Sequence, residues 1–187
     1  MSLVLSAALM SLQVALIPSE VWESFMREQL LAQGGTPLPM PDRVTDWMSI
    51  LTVVGVALST SIVIPIGAGV LTGIFAFVLG DAGGYRQYLA VTAHSFFIPA
   101  LVGLFIMPLK IATQDPQLTL NLGSFFFFLP SGYWLSVLTA MDLTQIWSSL
   151  VIAQGAHCID RRRSFTSAAV ILLSLMFAMA LIIGRFM

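Results

Sequence analysis

The chain has 187 residues, of which 58% are hydrophobic and 9% charged, with a mean hydropathy of +0.94. Soluble domains carry about 25% charged residues, so this composition excludes an ordinary soluble domain and predicts a lipid-embedded one. Eight basic and nine acidic residues give a net charge of −1, which excludes the broad basic surface of a nucleic-acid binder, and the single cysteine, Cys158, excludes an internal disulfide.

A charge in hydrocarbon is costly, so spans are expected between charges. The sequence predicts five, at about 1–18, 47–79, 87–109, 143–160 and 164–185. Each reaches across a core of roughly 30 Å at about 1.5 Å per residue, the shortest only just. The first stretch, MSLVLSAALMSLQVALIP, lacks the basic leader of a secretory signal and is read as a retained helix. Residues 19–33 follow as a short amphipathic helix on the membrane surface, with Trp22, Phe25, Met26 and Leu30 on one face. Pro37, Pro39 and Pro41 then form an extended linker.

The run from Trp47 to Leu79 is longer than hydrocarbon requires and is expected to protrude, tilt or bend, with Pro65, which removes a backbone donor, the candidate bend. Gly69 and Gly73 form a GxxxG expected to pack on another helix of the same bundle. Segment 117–141 is uncharged, but Pro130, Ser131 and Gly132 divide it into pieces too short to cross. It is read as interfacial or re-entrant. The expected fold is thus an all-α integral membrane protein, one domain over 1–187. It combines a bundle of five transmembrane helices, an amphipathic interfacial helix and one interfacial or re-entrant segment.

Positive charge sets the orientation. Five spans place Arg86, Arg161, Arg162 and Arg163 against Arg27, Arg43, Lys110 and Arg185; six spans place Arg86 and Arg185 against the other six. The short triple-arginine loop is read as cytoplasmic in both cases, with the C-terminus opposite in the five-span arrangement. The proline break in 117–141 favours five.

The stretch GDAGGYRQYLAVTAHSFFIP, then Pro108, then MDLTQIWSSLVIAQG with its basic loop, resembles the prokaryotic branch of the Yip domain family, named for eukaryotic members that interact with Rab-type GTPases. The resemblance runs from about Trp47 to the end, on Gly84, Tyr85, Gln87, Leu89, Pro99, Asp142, Leu143, Trp147 and Gly155. The family's hydrophilic N-terminal region has no counterpart in this sequence. The resemblance implies five spans, a cytoplasmic N-terminus, a C-terminus on the opposite face and no catalytic signature.

Read physically, Asp142 with Gln145 three residues on predicts a helix cap. Gly80, Gly83 and Gly84 predict a tight loop carrying Asp81 and Arg86 to the membrane surface, without the pattern of a phosphate-cradling loop. His94, well inside a span, is a functional candidate by position; the plainer expectation is a neutral ring hydrogen-bonded to a neighbouring helix. His157, Cys158 and Asp160 are metal-ligand types crowded onto one turn, which does not suit a zinc site. Arg161 to Arg163 suit anionic lipid head groups. No metal, cofactor or catalytic constellation is predicted.

Three readings follow. The first is a non-enzymatic polytopic protein of the bacterial cytoplasmic membrane that organises membrane or binds partners. The second is a small permease or lipid-moving transporter built on Pro65, His94 and the segment from Phe125 to Tyr133. The third is an accessory subunit of a larger membrane assembly, its helix faces covered by other subunits or by a second copy.

Overall fold

A computed structural model describes residues 2–35 and 42–186, with side chains along most of that length. The predicted proline linker, the Arg43 side chain and Met187 lie outside the described residues. The described residues are helical, with no strand beyond an isolated bridge between Asn121 and Asp142. The helices are α1 (Ser2–Ala15), α2 (Ser19–Ala32), α3 (Asp42–Thr72), α4 (Tyr85–Ser95), α5 (Phe97–Phe105), α6 (Met107–Thr113), α7 (Tyr133–Ala140), α8 (Leu143–Ile159) and α9 (Phe165–Ile183). A π-helical turn at Gly73–Val78 follows α3, and a 3-10 turn at Leu122–Phe125 precedes α7.

Three of these stretches are long and apolar enough to cross a membrane: Ile50–Val78 with 29 residues, Tyr85–Phe105 with 21 and Phe165–Ile183 with 19. The α1 and α2 pair, bent by 78°, is a fourth if taken as one broken span. Alone, α1 has 14 residues and α8 has 17, about 21 and 26 Å, both short of a 30 Å core. The outward faces are apolar, as a lipid solvent requires: Leu51, Leu58, Ile62, Val70 and Val170 are all exposed.

The chain divides into two compact units. The first comprises residues 3–63 and 100–118. Its core joins Ile17 and Val21, on either side of the Pro18 bend, to Met107, with Trp22 and Ile111 packed alongside. Gln13 is buried and donates from Nε2 to the Ala100 carbonyl at 2.7 Å, lying over Gly103, where a Cβ would collide with it. A glutamine in an apolar helix is thereby satisfied rather than left costly in hydrocarbon.

The second unit comprises 64–99 and 119–187. Its core stacks Phe75 on Tyr88, ring centroids 5.9 Å apart and planes within 12°, against Ala153, Ala156, Ala168 and Leu172. Alanine at these positions lets helix backbones approach closely. α8 and α9 form an antiparallel hairpin about the loop from Asp160 to Ser164. α4 runs antiparallel to α8, with Val91 against Gly155 and the Ser95 carbonyl accepting from Ser148 Oγ at 3.1 Å. Pro99 explains that last bond: lacking an N–H, it leaves the carbonyl four residues back, that of Ser95, without its helical donor, and Ser148 supplies one.

α3 stays helical through Pro65, and its winding changes at Gly73, where the π turn begins. One local expectation changes. Gly69 and Gly73 meet nothing within contact distance; Gly67 packs instead, on Thr92. The GxxxG is therefore not a packing face within the second unit, because the register of α3 turns Ile64, Ala68 and Leu71 inward.

Segment 117–141 holds the 3-10 turn, a non-helical stretch through Pro130 and the short α7. It enters and leaves side by side: Leu143 N donates to Leu120 O at 2.8 Å and Leu122 N to Met141 O at 2.9 Å. α7 lies along the C-terminal end of α9, where Tyr133 Oη donates to Leu181 O at 3.0 Å and Val137 packs on Gly184.

Candidate functional site

The densest polar constellation lies at the end of the second unit where the Gly80–Gly84 loop meets the turn between α8 and α9. Gly80 takes a positive φ of +72°, which reverses the chain after the π turn. That reversal aims Asp81 at Arg163. Arg163 Nη2 donates to Asp81 Oδ1 at 2.7 Å and Nε to Oδ2 at 3.1 Å, a forked pair, and Nη2 also reaches the Leu79 carbonyl at 3.4 Å. The Asp81 side chain retains 5% of its exposure and that of Arg163 17%. The hydrogen bond to Asp81 raises the Arg163 pKa above its ordinary value, against the opposing effect of burial.

Asp160 ties the same loops from the other side. Its Oδ2 accepts from Ala82 N at 2.9 Å and its Oδ1 from Arg162 N at 2.9 Å. His157 Nδ1 lies 2.6 Å from the Arg163 carbonyl, fixing the ring across the turn. Beneath them the Tyr88 ring is fully buried, and Gly83 leaves room for it: a Cβ there would lie 2.6 Å from Tyr88 Cε2 and 2.7 Å from Ile159 Cγ2. The Tyr88 hydroxyl has no hydrogen-bond partner among the described residues.

The residues singled out by sequence fall in different places. Gly84 caps α4 through its N–H, which donates to Gln87 Oε1 at 2.9 Å. Tyr85 Oη donates to the Pro65 carbonyl at 3.3 Å, while Arg86 is exposed. Arg161 and Arg162 are exposed too, so the basic cluster divides: two side chains face outward and Arg163 is committed to Asp81. Trp147 is exposed on α8, and Pro99 is half-buried in the first turn of α5.

His94 corrects an expectation. It sits on the exposed side of α4, its Nδ1 is 2.6 Å from the Ala90 carbonyl of the same helix, and its ring lies 6.0 Å from Phe97. Its partner is its own preceding turn, not a neighbouring helix, because Thr92, Ala93 and Ser95 occupy the inward face.

No family model, curated protein or solved structure matches this chain. Chemistry must therefore be read from the residues alone. Among the described residues no group of three or more His, Cys, Asp or Glu side chains converges to hold a metal ion. The constellation of Asp81, Asp160 and Arg163 spends its hydrogen bonds on backbone, on itself and on the nearby Ser167 hydroxyl, which makes it a device for holding two loops together.

Asp142 caps α8. Its Oδ1 accepts from both the Thr144 N–H and the Thr144 hydroxyl at 2.6 Å, while its backbone borders the neck of segment 117–141. Asp142→Asn should retain most of the stability, whereas Asp142→Ala should cost about 1 kcal/mol, read as thermal unfolding in detergent. A larger loss for Asn than for Ala would show that the carboxylate charge itself is needed.

Sequence reasoning missed Asp160 as a loop tie, Tyr88 as the buried ring, and the bonds of Gln13 and Ser148. One signal was available: Asp81 is the one acidic residue in a charge-poor stretch of nearly forty residues, and such an isolated carboxylate calls for a basic partner.

Proposed function

We propose that this chain is a non-enzymatic, five-span protein of the bacterial cytoplasmic membrane, similar to the prokaryotic branch of the Yip domain family, that binds membrane partners through its apolar helix faces. The observation that carries the reading is the Asp81–Arg163 clamp. By joining the loop before α4 to the loop before α9, it supports both loops lying on one side, as five spans require and six forbid. The side-by-side entry and exit of segment 117–141 supports the same count. On this reading α1 and α8 cross as short helices with local thinning of the bilayer, at modest cost. Arg161 and Arg162 then face cytoplasmic lipid head groups, each contributing about 1 kcal/mol.

The polar groups at the clamp are occupied structurally, and His94 faces outward on its own helix, which favours a partner-binding module over a permease. The open Gly69 and Gly73 favour close approach by a second copy or by a larger assembly. Photo-crosslinking residues at Val70, Val170 and Phe177 in native membranes test this. A discrete protein adduct from at least one of these faces, with none from Arg161, is the expected result. Adducts to lipid alone at all three, or solute flux in liposomes that is lost in His94→Ala, would overturn the reading.

A further inference from the structure

Segment 117–141 ends in an aromatic tip that nothing in the clamp or the helix packing uses. Phe125, Phe127 and Phe128 are 60, 85 and 70% exposed, and Trp134 just beyond is 62% exposed. The rings touch one another, Phe128 lying 5.7 Å from Phe126 and 6.0 Å from Phe127, so they form a wedge already assembled on the surface. No charge interrupts residues 117–141. Exposing such a patch to water is costly, and contiguous apolar patches on a surface mark an interaction site.

The second unit fixes the height of that tip. α9 has 19 residues, about 28 Å of rise, close to the thickness of the hydrocarbon core. Its N-terminal end carries the Arg163 clamp, and its C-terminal end carries α7 through the Tyr133 to Leu181 bond. The tip therefore sits at the end of α9 remote from the arginine loop. Residues 126–132 are not helical, and backbone of that kind is not tolerated deep in lipid. Tyr133 and Trp134 beside it are the side chains that settle at a membrane interface, an apolar ring with one polar atom.

Resting on the membrane-embedded reading above, we propose that the Phe125–Phe128 tip is a shallow lipid anchor, inserted at the acyl-chain boundary of the leaflet opposite the arginine loop. It sets the depth of α7 and of the C-terminal end of α9 in that leaflet.

The test uses the full chain with Cys158→Ser, reconstituted in phosphatidylethanolamine and phosphatidylglycerol vesicles. Single cysteines at Phe127, Val170 or Arg161 carry an environment-sensitive fluorophore. Quenching is compared between a lipid spin label near the head group, one near the bilayer centre, and aqueous iodide. The label at Phe127 should be quenched several-fold more by the shallow spin label than by the deep one or by iodide, while that at Arg161 answers to iodide. Phe128→Cys repeats the measurement if Phe127→Cys does not fold. Iodide quenching at the tip equal to that at Arg161 would overturn the anchor, as would protection from both quenchers, which signals a second copy or another protein covering it. If Val170 remains lipid-quenched in either event, only the anchor fails; if Val170 is also open to iodide, the embedded reading fails with it.

Discussion

Asp81→Ala should destabilise the protein by about 3 kcal/mol, the lower part of the range for removing one partner of a buried pair, because it strands the Arg163 guanidinium in a site where it keeps only 17% of its exposure. Arg163→Ala should cost a similar amount by stranding Asp81. The double variant Asp81→Leu with Arg163→Met should recover most of the loss, since two apolar groups leave no uncompensated charge. Thermal unfolding of all four proteins in the same detergent decides it. Single variants within about 1 kcal/mol of wild type would mean that the clamp behaves as an exposed surface pair, which is worth little, and that something else holds the two loops together.

The second large effect is steric. Gly155 of α8 lies against Val91 of α4 so closely that a Cβ added there would fall 2.6 Å from Val91 Cγ2. Gly155→Ala should force the two helices apart and cost about 1–3 kcal/mol. Adding Val91→Ala removes the methyl groups that collide. The double variant should therefore be less destabilised than the sum of the two singles, a coupling expected only of residues in contact. Strictly additive losses in the same unfolding assay would contradict the α4 to α8 contact. The neighbouring Ser148 to Ser95 bond would then need another explanation as well.

What the sequence made legible was set by charge and by backbone-breaking residues. Charge-free stretches located the apolar helices Tyr85–Phe105 and Phe165–Ile183, because a stranded charge in lipid is costly enough to mark span ends. Pro130 to Gly132 marked a real interruption, since the chain there is not helical. Asp142 was legible as a cap because capping depends only on residues one turn away.

The rest depended on contacts distant in sequence. Arg161, Arg162 and Arg163 are chemically identical, and only the turn at Gly80 selects Arg163 as the partner of Asp81, 82 residues earlier. The direction in which His94 points depends on which side of α4 meets α8, and helical spacing in a mostly apolar segment leaves that open. In the same way, Gly67, Gly69 and Gly73 all lie on α3 or at its end, yet only Gly67 meets a neighbour. Small residues permit close approach without fixing which turn receives it. Pro65 and Pro99 make the same point. Both remove a backbone donor, but the site near Pro99 shows its consequence only through Ser148, 49 residues later.

On the five-span proposal the two clamped loops share one side of the membrane and the chain leaves on the other. Single cysteines at Arg86, Arg162 and Phe186, in a Cys158→Ser background, test it through labelling of intact spheroplasts by an impermeant maleimide before and after permeabilisation. Arg86 and Arg162 should label only after permeabilisation and Phe186 before it. Arg86 and Arg162 labelling from opposite sides would contradict it, because the Asp81–Arg163 pair cannot form across a bilayer.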